Sequence, residues 1–210
     1  MNFLAVILSY LLGSINFAYI TARIKGIDIS SQGSGNPGTS NVLRTLGKRS
    51  AAIVLFGDLL KGAIPIVFFY QDQYFLAYGL AAVIGHIYPV FYKFKGGKGV
   101  ATYLGVYIAT VFMNPYNSDL FNIEIFQILN LPALAFFYFV VFKTTRVSAI
   151  ASLSTVLITV SLLIYTNDEI SNIVVLVVLF VLILIKHSEN IKTVAKLAIA
   201  YTRVVLNTTK

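Results

Sequence analysis

The 210-residue sequence contains no cysteine, and only 11% of its residues are charged. The absence of cysteine excludes disulfide bonds and thiolate chemistry, although it leaves the redox compartment undetermined. The low charge excludes an ordinary soluble domain, in which about a quarter of the residues are charged. What remains is mostly apolar, with 58% hydrophobic residues and a mean hydropathy of +0.82. The composition therefore predicts a protein that lies in lipid.

Several apolar runs are close to the ~20 residues that a helix needs to cross a bilayer core. They do not alternate as the strands of a membrane barrel would. We therefore predict an all-α, polytopic membrane protein with about seven transmembrane helices. No internal repeat, linker or low-complexity tract is visible, so a single domain over residues 1–210 is expected. The predicted spans are at about residues 3–22, 51–70, 75–92, 100–113, 125–142, 147–165 and 173–185.

The positions of the cationic residues test this layout. With the N-terminus outside, every Lys and Arg except Lys61 falls on the inner side, and the outer loops carry acids only. This separation follows the positive-inside rule and predicts a cytoplasmic C-terminus. It also explains the net charge of +8 better than nucleic-acid binding does, so no nucleic-acid partner is expected.

Several catalytic signatures are missing from the sequence. Neither histidine is followed by an aspartate five residues later, so the usual signature of the larger acyltransferase group is absent. There is no G-x-S-x-G nucleophile elbow and no Walker loop. Asp28 and Glu189 are the only acids on the predicted inner side, too few for a two-metal phosphotransfer site. We predict no metal ion and no cofactor.

Three polar stretches, at residues 33–44, 85–102 and 187–192, interrupt the apolar runs, and the topology puts their polar cores at one membrane face. The first formally matches G-x-G-x-x-G but lacks the preceding strand of a dinucleotide site. Its glycines let backbone N–H groups approach an anion, and Thr39 or Ser40 can cap a helix that points at this anion. Arg44, about one turn further on, can bind a phosphate through its guanidinium. The alternative is an ordinary turn followed by a capped helix.

The second stretch carries His86, Pro89 and then Lys95 and Lys98 among three glycines at the start of the fourth span. Backbone donors, a helix N-terminus and two point charges again suit a phosphate. The alternative is a flexible cationic turn that obeys the positive-inside rule. His86 taken alone is predicted to be a buried, hydrogen-bonded histidine.

The third stretch closes the seventh span. His187 and Asn190 are three residues apart, so they share a helix face, and a histidine can move a proton near neutral pH. The alternative is an ordinary polar helix exit. Within the second span, Asp58 and Lys61 are interpreted as a structural ion pair, because charges in lipid tend to pair. Ser148 adds a further donor on the inner face.

The tail after the third stretch has an amphipathic pattern over residues 191–206. This pattern is typical of a helix that lies on the inner leaflet. It fits a solvated end helix equally well.

Together the three stretches resemble the signature motifs of the bacterial membrane acyl-phosphate:glycerol-3-phosphate acyltransferases, the PlsY family, and residues 58–62 resemble that family's second helix. The resemblance spans the chain in the right order. The sequence departs from the family's usual pattern at Ser188 and Thr193, where arginines are common.

The resemblance implies a seven-helix enzyme of the bacterial plasma (inner) membrane whose active site faces the cytoplasm. Such an enzyme transfers a fatty acyl group from acyl-phosphate to the 1-hydroxyl of glycerol 3-phosphate, the first acylation step of phospholipid synthesis. The products are lysophosphatidic acid and phosphate. The expected partners are the two substrates, membrane lipid and the soluble enzyme that produces acyl-phosphate.

The candidate site combines residues that match the family's motifs with polar residues of the same loops. The catalytic candidates are Ser34, His187 and Asn190. The substrate-binding candidates are Asn36, Gly38, Thr39, Ser40, Asn41, Arg44, Gly96, Gly97, Lys98, Gly99 and Ser148.

An acyl-phosphate is a mixed anhydride with a good leaving group, so no acylated enzyme nucleophile is needed. Positioning of the substrates and donors aimed at the developing oxyanion can supply the acceleration. The base is His187, His86 or the substrate's own phosphate, and the sequence suggests no carboxylate beside either histidine, which favours the substrate phosphate. The alternative function is a carrier for phosphorylated anions. Carriers place their sites at the membrane midplane between repeats, which this sequence lacks.

Overall fold

The computed structural model describes residues 1–113, 119–167 and 169–196, and the regular secondary structure in these ranges is helical throughout. Short 3-10 turns lie at Ile29–Ser31 and Val90–Tyr92. Residues 197–206 of the predicted amphipathic tail lie outside the described residues. The helices are α1 (Phe3–Ser14), α2 (Phe17–Ile24), α3 (Thr39–Leu46), α4 (Lys48–Phe69), α5 (Phe75–Ile87), α6 (Val100–Met113), α7 (Asp119–Asn122), α8 (Glu124–Thr145), α9 (Ser148–Tyr165), α10 (Ile170–Lys186) and α11 (Ser188–Lys196).

The all-α prediction is confirmed, and each of the seven predicted spans coincides with a helix or a pair of helices. Among the described residues, five helical segments are long and apolar enough to cross a membrane, and α10 with α11, bent by 52°, makes a sixth if the pair is counted as one span. α6 is apolar but has only 14 residues, about 21 Å at the helical rise per residue. Seven complete crossings and the orientation of the termini therefore stay predictions.

The first predicted span is two helices, α1 and α2, because the helical ladder is interrupted at Ile15 and Asn16. The Asn16 side chain accepts the N–H groups of Ala18 and Tyr19 at 3.1 Å each and so caps α2. The Lys61 ammonium of α4 donates to the Ile15 carbonyl oxygen at 2.8 Å. This bond satisfies a carbonyl that has lost its helical partner.

The bundle is held together by close helix contacts, chiefly α4 against α6 and α1 against α5. Glycines permit the closest approach. A Cβ on Gly62 would lie 1.8 Å from the Thr102 carbonyl oxygen, and one on Gly105 would lie 1.9 Å from that of Leu59. Small residues at such interfaces are typical of membrane helices, whose association depends on direct backbone packing.

Buried hydroxyl groups on α6 are paired with neighbouring helices. The Tyr103 hydroxyl donates to the Thr159 hydroxyl oxygen, and the Tyr107 hydroxyl donates to the Asn130 amide oxygen, both at 3.0 Å. In contrast, large apolar side chains such as Phe68 point outward and remain exposed, as expected for a lipid-facing surface. The packed helices fix the ends of α5, α6 and α10, from which the second and third polar stretches extend.

Candidate active site

The first polar loop is organised around the side chain of Asn41. Its amide oxygen accepts the Ser34 N–H at 3.0 Å, and its amide nitrogen donates to the Gln32 carbonyl oxygen at 2.9 Å. Gly33 has a φ of +58° and packs so closely that a Cβ would lie 2.3 Å from the Asn41 amide oxygen. Asn41 therefore holds the loop that presents the exposed Ser34. A direct substrate contact for Asn41 stays a prediction.

The start of α3 differs from the sequence prediction. The N-cap is Gly38, which makes no side-chain capping bond, so the prediction that Thr39 or Ser40 caps this helix is wrong. Thr39 and Ser40 lie one and two residues beyond the N-cap, inside the first turn. The Thr39 hydroxyl is buried and has no hydrogen-bond partner among the described residues, while Ser40 is exposed. Arg44 lies in the last turn of α3 with its side chain exposed.

The second loop packs its glycines directly onto His86. The Gly97 N–H donates to the His86 carbonyl oxygen at 3.1 Å. A Cβ on Gly96 would lie 2.0 Å from the same oxygen, and one on Gly97 would lie 2.2 Å from Nε2 of His86 and 3.2 Å from the Pro37 carbonyl oxygen. Only a residue without a side chain fits here. The backbone of Gly97 therefore lies beside the Pro37 carbonyl oxygen, and this packing joins the second loop to the first. The candidate residue Asn36 directly precedes Pro37.

The second and third stretches are joined by Lys98 and Asn190. The Lys98 ammonium donates to the Asn190 side-chain oxygen at 2.5 Å. Lys98 is partly buried, and this burial lowers the pKa of its ammonium below the usual range. The adjacent Gly99 has a φ of +85°, a left-handed conformation that favours glycine at the start of α6.

His187 occupies the bend between α10 and α11 and is buried. Its Nδ1 lies 2.8 Å from the Ile183 carbonyl oxygen. Because a carbonyl can only accept, Nδ1 carries the proton and Nε2 of the neutral ring keeps its lone pair. His187 lies at the bend and Asn190 lies within α11, and the prediction that the two residues share a helix face stays a prediction.

The predicted ion pair is confirmed, with the Lys61 ammonium 2.9 Å from Oδ1 of Asp58. The same carboxylate oxygen lies 3.5 Å from Nδ1 of His86. The expectation that no carboxylate lies beside either histidine is therefore wrong for His86, because the packing of α4 on α5 brings together residues that are distant in sequence. His86 is buried as predicted, and its ring faces Gly97. The prediction that it is hydrogen-bonded is not confirmed, because its Nδ1 has no hydrogen-bond partner among the described residues.

Two cavities lie near these loops. A small one, of about 200 Å³, separates the start of α9 from α11 and is lined by Asn190 together with apolar side chains that include Leu153 and Val194. Ser148, the first residue of α9, is half-buried. A larger cavity, of about 670 Å³, is lined by residues such as Tyr19, Arg23 and Tyr92 and by none of the predicted site residues.

Three polar stretches that are far apart in sequence thus meet through specific contacts. The first touches the second at Pro37 and Gly97, and the second touches the third at Lys98 and Asn190. No hydrogen bond or ion pair joins the side chains of Arg44 or Ser148 to this junction in the described part of the chain. Sequence reasoning missed Pro37, whose backbone role has no compositional signal. It also missed the link from Asp58 to His86.

The fold and these joined loops define the class as a multi-pass helical membrane protein with a glycine-rich, cationic site that suits phosphorylated ligands. A model of the family described as glycerol-3-phosphate acyltransferase matches residues 3–197. The chain belongs to this family. Among curated relatives, the glycerol-3-phosphate acyltransferase of Aquifex aeolicus is 38% identical, over 89% of this chain and 91% of the relative. That of Geotalea daltonii is 40% identical, over 89% of this chain and 90% of the relative.

Solved structures agree with this assignment. The chain is similar to PlsY, described as an integral membrane glycerol 3-phosphate acyltransferase, in its glycerol 3-phosphate form, with a TM-score of 0.78 and 34% identity. The match covers 92% of this chain and 91% of the PlsY chain. The lysophosphatidic acid form gives a TM-score of 0.72 and 35% identity with the same coverage. The PlsY resemblance and the prediction of an acyltransferase are therefore confirmed.

Proposed function

We propose that this protein acylates the 1-hydroxyl of glycerol 3-phosphate with the fatty acyl group of an acyl-phosphate, releasing lysophosphatidic acid and phosphate. Family membership supports the reaction class. The observation that carries the assignment of the site is the meeting of the three polar stretches at Pro37 with Gly97 and at Lys98 with Asn190. Such a junction offers one cation, amide groups and backbone donors to two phosphorylated molecules at once.

The two anions are assigned to different parts of the site. Arg44, Lys98 and Asn190 bind the phosphate of glycerol 3-phosphate, because cations and amide donors suit a dianion. His187 binds the hydroxyl end of the same substrate, because its Nε2 keeps a lone pair that can accept a hydrogen bond. Ser34 and the N–H groups of the glycine loops bind the head of the acyl-phosphate. The hydrogen bond from the Ser34 N–H to Asn41 supports this assignment, since it fixes the loop that presents the Ser34 hydroxyl.

The reaction is a direct transfer. The oxygen of the 1-hydroxyl attacks the acyl carbon, a new C–O bond forms, and the bond to the phosphate oxygen breaks with its electron pair leaving on phosphate. The hydroxyl proton passes to Nε2 of His187 or to a phosphate oxygen of the substrate. Most of the acceleration comes from holding the two reactants side by side and from donors near the developing oxyanion.

The acyl tail lies between helices, in continuity with lipid. The small cavity between α9 and α11 supports this placement, because it combines apolar walls with Asn190 at the junction. In this arrangement the apolar tail of the acyl-phosphate lies among apolar side chains, and its phosphate lies at the polar junction.

The decisive experiment uses the purified full-length protein in detergent with acyl-phosphate and glycerol 3-phosphate. We expect phosphate release and lysophosphatidic acid formation that depend on both substrates. Glycerol in place of glycerol 3-phosphate should support little turnover, and Lys98→Met should lower activity while the protein remains folded. A folded wild-type protein that releases no phosphate would refute the proposed function and leave a carrier as the alternative.

We further propose that the site faces the cytoplasm across the bacterial inner membrane, where the soluble enzyme that makes acyl-phosphate can deliver the donor. The distribution of cationic residues supports this orientation. The natural absence of cysteine permits a direct test with single-cysteine variants. Cysteines replacing the exposed Gln32, Lys95 and Glu189 should react with an impermeant maleimide only from the cytoplasmic side, and one replacing Gln73 only from outside. Any one of the first three reacting from the outside would rule out a shared site.

A further inference from the structure

A cluster of two charged side chains and a histidine lies inside the helix bundle, apart from the residues assigned to substrate. Asp58 and Lys61 are on α4 and His86 is on α5, with exposed fractions of 2%, 1% and 3%. Charged groups within membrane helices are costly and often mark a function. The ion pair of Asp58 and Lys61 explains why each of these two charges is tolerated. It leaves open why a histidine lies against the same carboxylate.

On one side, this buried cluster supports the break in the first span. The Lys61 ammonium contacts both Oδ1 of Asp58, at 2.9 Å, and the carbonyl oxygen of Ile15, at 2.8 Å. The pair therefore has a structural anchor at the interruption between α1 and α2. This anchor would be complete without His86.

On the other side, the cluster meets the glycine loop through His86. Nδ1 of the ring lies 3.5 Å from Oδ1 of Asp58, which is within ion-pair distance but makes no hydrogen bond in the described part of the chain. Nε2 lies against Gly97. The His86 carbonyl oxygen also accepts the Gly97 N–H at 3.1 Å. The ring is thus enclosed between a carboxylate and the loop that carries Lys98.

We infer that Asp58 and His86 are positioning residues of the acyltransferase reaction. Asp58 fixes the orientation of the His86 ring. The ring packs against the Gly96–Gly97 loop and so fixes the position of this loop, and thereby the position of Lys98 at the substrate phosphate. A carboxylate beside Nδ1 favours a proton on that nitrogen, which keeps the unprotonated Nε2 toward Gly97. Neither residue is assigned to touch substrate. This inference rests on the proposed function, since it concerns the same site.

The obvious variant, Asp58→Asn, leaves the Lys61 ammonium buried without its counter-charge and is expected to destabilise the fold. The informative variant is therefore the double substitution Asp58→Asn with Lys61→Met. It removes both charges, so no orphan cation remains, and replacing a buried pair in this way is often tolerated. It also removes the bond from Lys61 to the Ile15 carbonyl oxygen, so some loss of thermal stability is expected. It still deprives His86 of its carboxylate.

For this double variant we expect a folded protein whose kcat/KM for glycerol 3-phosphate is lower by about tenfold or more, mainly through KM, because small displacements of binding groups are costly. Asp58→Glu, which keeps a carboxylate for His86, should recover part of this loss. The matched control is Tyr107→Phe, which removes a buried interhelical hydrogen bond on α6. The control should lower thermal stability and leave KM unchanged.

A second readout does not depend on turnover. Hydrogen exchange of the peptide containing Gly96 and Gly97 should be faster in the double variant than in the wild type or in Tyr107→Phe, because the Gly97 N–H donates to His86. Wild-type KM and unchanged exchange in the folded double variant would overturn the inference. An inactive wild-type protein would instead refute the proposed function, and the exchange experiment would still decide whether Asp58 positions the loop.

Discussion

Replacing Gly97 by alanine is the sharpest single test of the site, because the structure sets the size of the disturbance. A Cβ at this position would lie 2.2 Å from Nε2 of His86, whereas ordinary contacts begin at 3.4 Å. The two groups must therefore separate by about 1.2 Å. The imidazole has little room to withdraw, because it is buried and Asp58 lies 3.5 Å beyond its other nitrogen. The loop has to move instead.

Movement of the loop carries Lys98 with it, since the two residues are adjacent in sequence. A displacement of about 1 Å in a binding group can lower activity by about a hundredfold. This factor corresponds to about 2.7 kcal/mol of transition-state stabilisation. The overpacking itself is expected to lower the free energy of unfolding by about 1–3 kcal/mol. The catalytic loss should thus appear in molecules that are still folded.

The measurement is glycerol 3-phosphate-dependent phosphate release by purified Gly97→Ala, corrected for the folded fraction. Gly13→Ala is the matched control, because its Cβ would lie 2.1 Å from the Ala82 carbonyl oxygen, a similar clash at the interface of α1 with α5. The control should lose stability but keep kcat/KM within about twofold of wild type. If Gly97→Ala behaves like Gly13→Ala, the proposed role of the loop is wrong.

Four further substitutions test individual parts of the site. Burial lowers the pKa of Lys98, so its charge is present below that pKa and lost as pH rises through it. KM for glycerol 3-phosphate should accordingly begin to rise at a lower pH than the loss of charge by an exposed lysine would give, and Lys98→Arg, charged throughout, should flatten this rise. Asn190→Asp places a carboxylate beside Lys98 and the substrate phosphate, so KM should increase by about tenfold or more in steady-state assays. Asn41→Ala removes the bonds to Ser34 and Gln32, and thermal unfolding should show a loss of about 1–2 kcal/mol. His187→Ala should raise KM more than it lowers kcat if the substrate phosphate takes the proton, whereas a fall in kcat of about 10²–10⁴ would assign that proton to His187.

The membrane helices could be predicted from the sequence because lipid demands long apolar segments whose backbone groups are bonded internally. All seven segments predicted from hydropathy are helical. The break at Asn16 was missed, although asparagine before an amphipathic segment is a known capping signal. Hydropathy alone hid this signal, because the apolar run continues on both sides of the break.

The candidate site was only partly accessible from the sequence. Glycines and cations in three stretches indicated phosphate binding. Because successive loops lie on alternate sides of the membrane, the predicted spans put all three stretches at one face. The contact of Lys98 with Asn190 spans 92 residues of sequence, and that of Asp58 with His86 depends on the packing of α4 on α5. Such contacts follow from tertiary packing, which no local pattern encodes. The misplaced cap at Thr39 or Ser40 has a simpler cause, since helix ends are the least certain part of a sequence-based assignment.

The bond between Lys98 and Asn190 also bears on how the protein is made. The lysine is synthesised before its amide partner, which follows α10 and lies 92 residues further along the chain. A nascent or truncated chain can therefore occupy the bilayer with several of its helices in place and still lack the third polar stretch of the site.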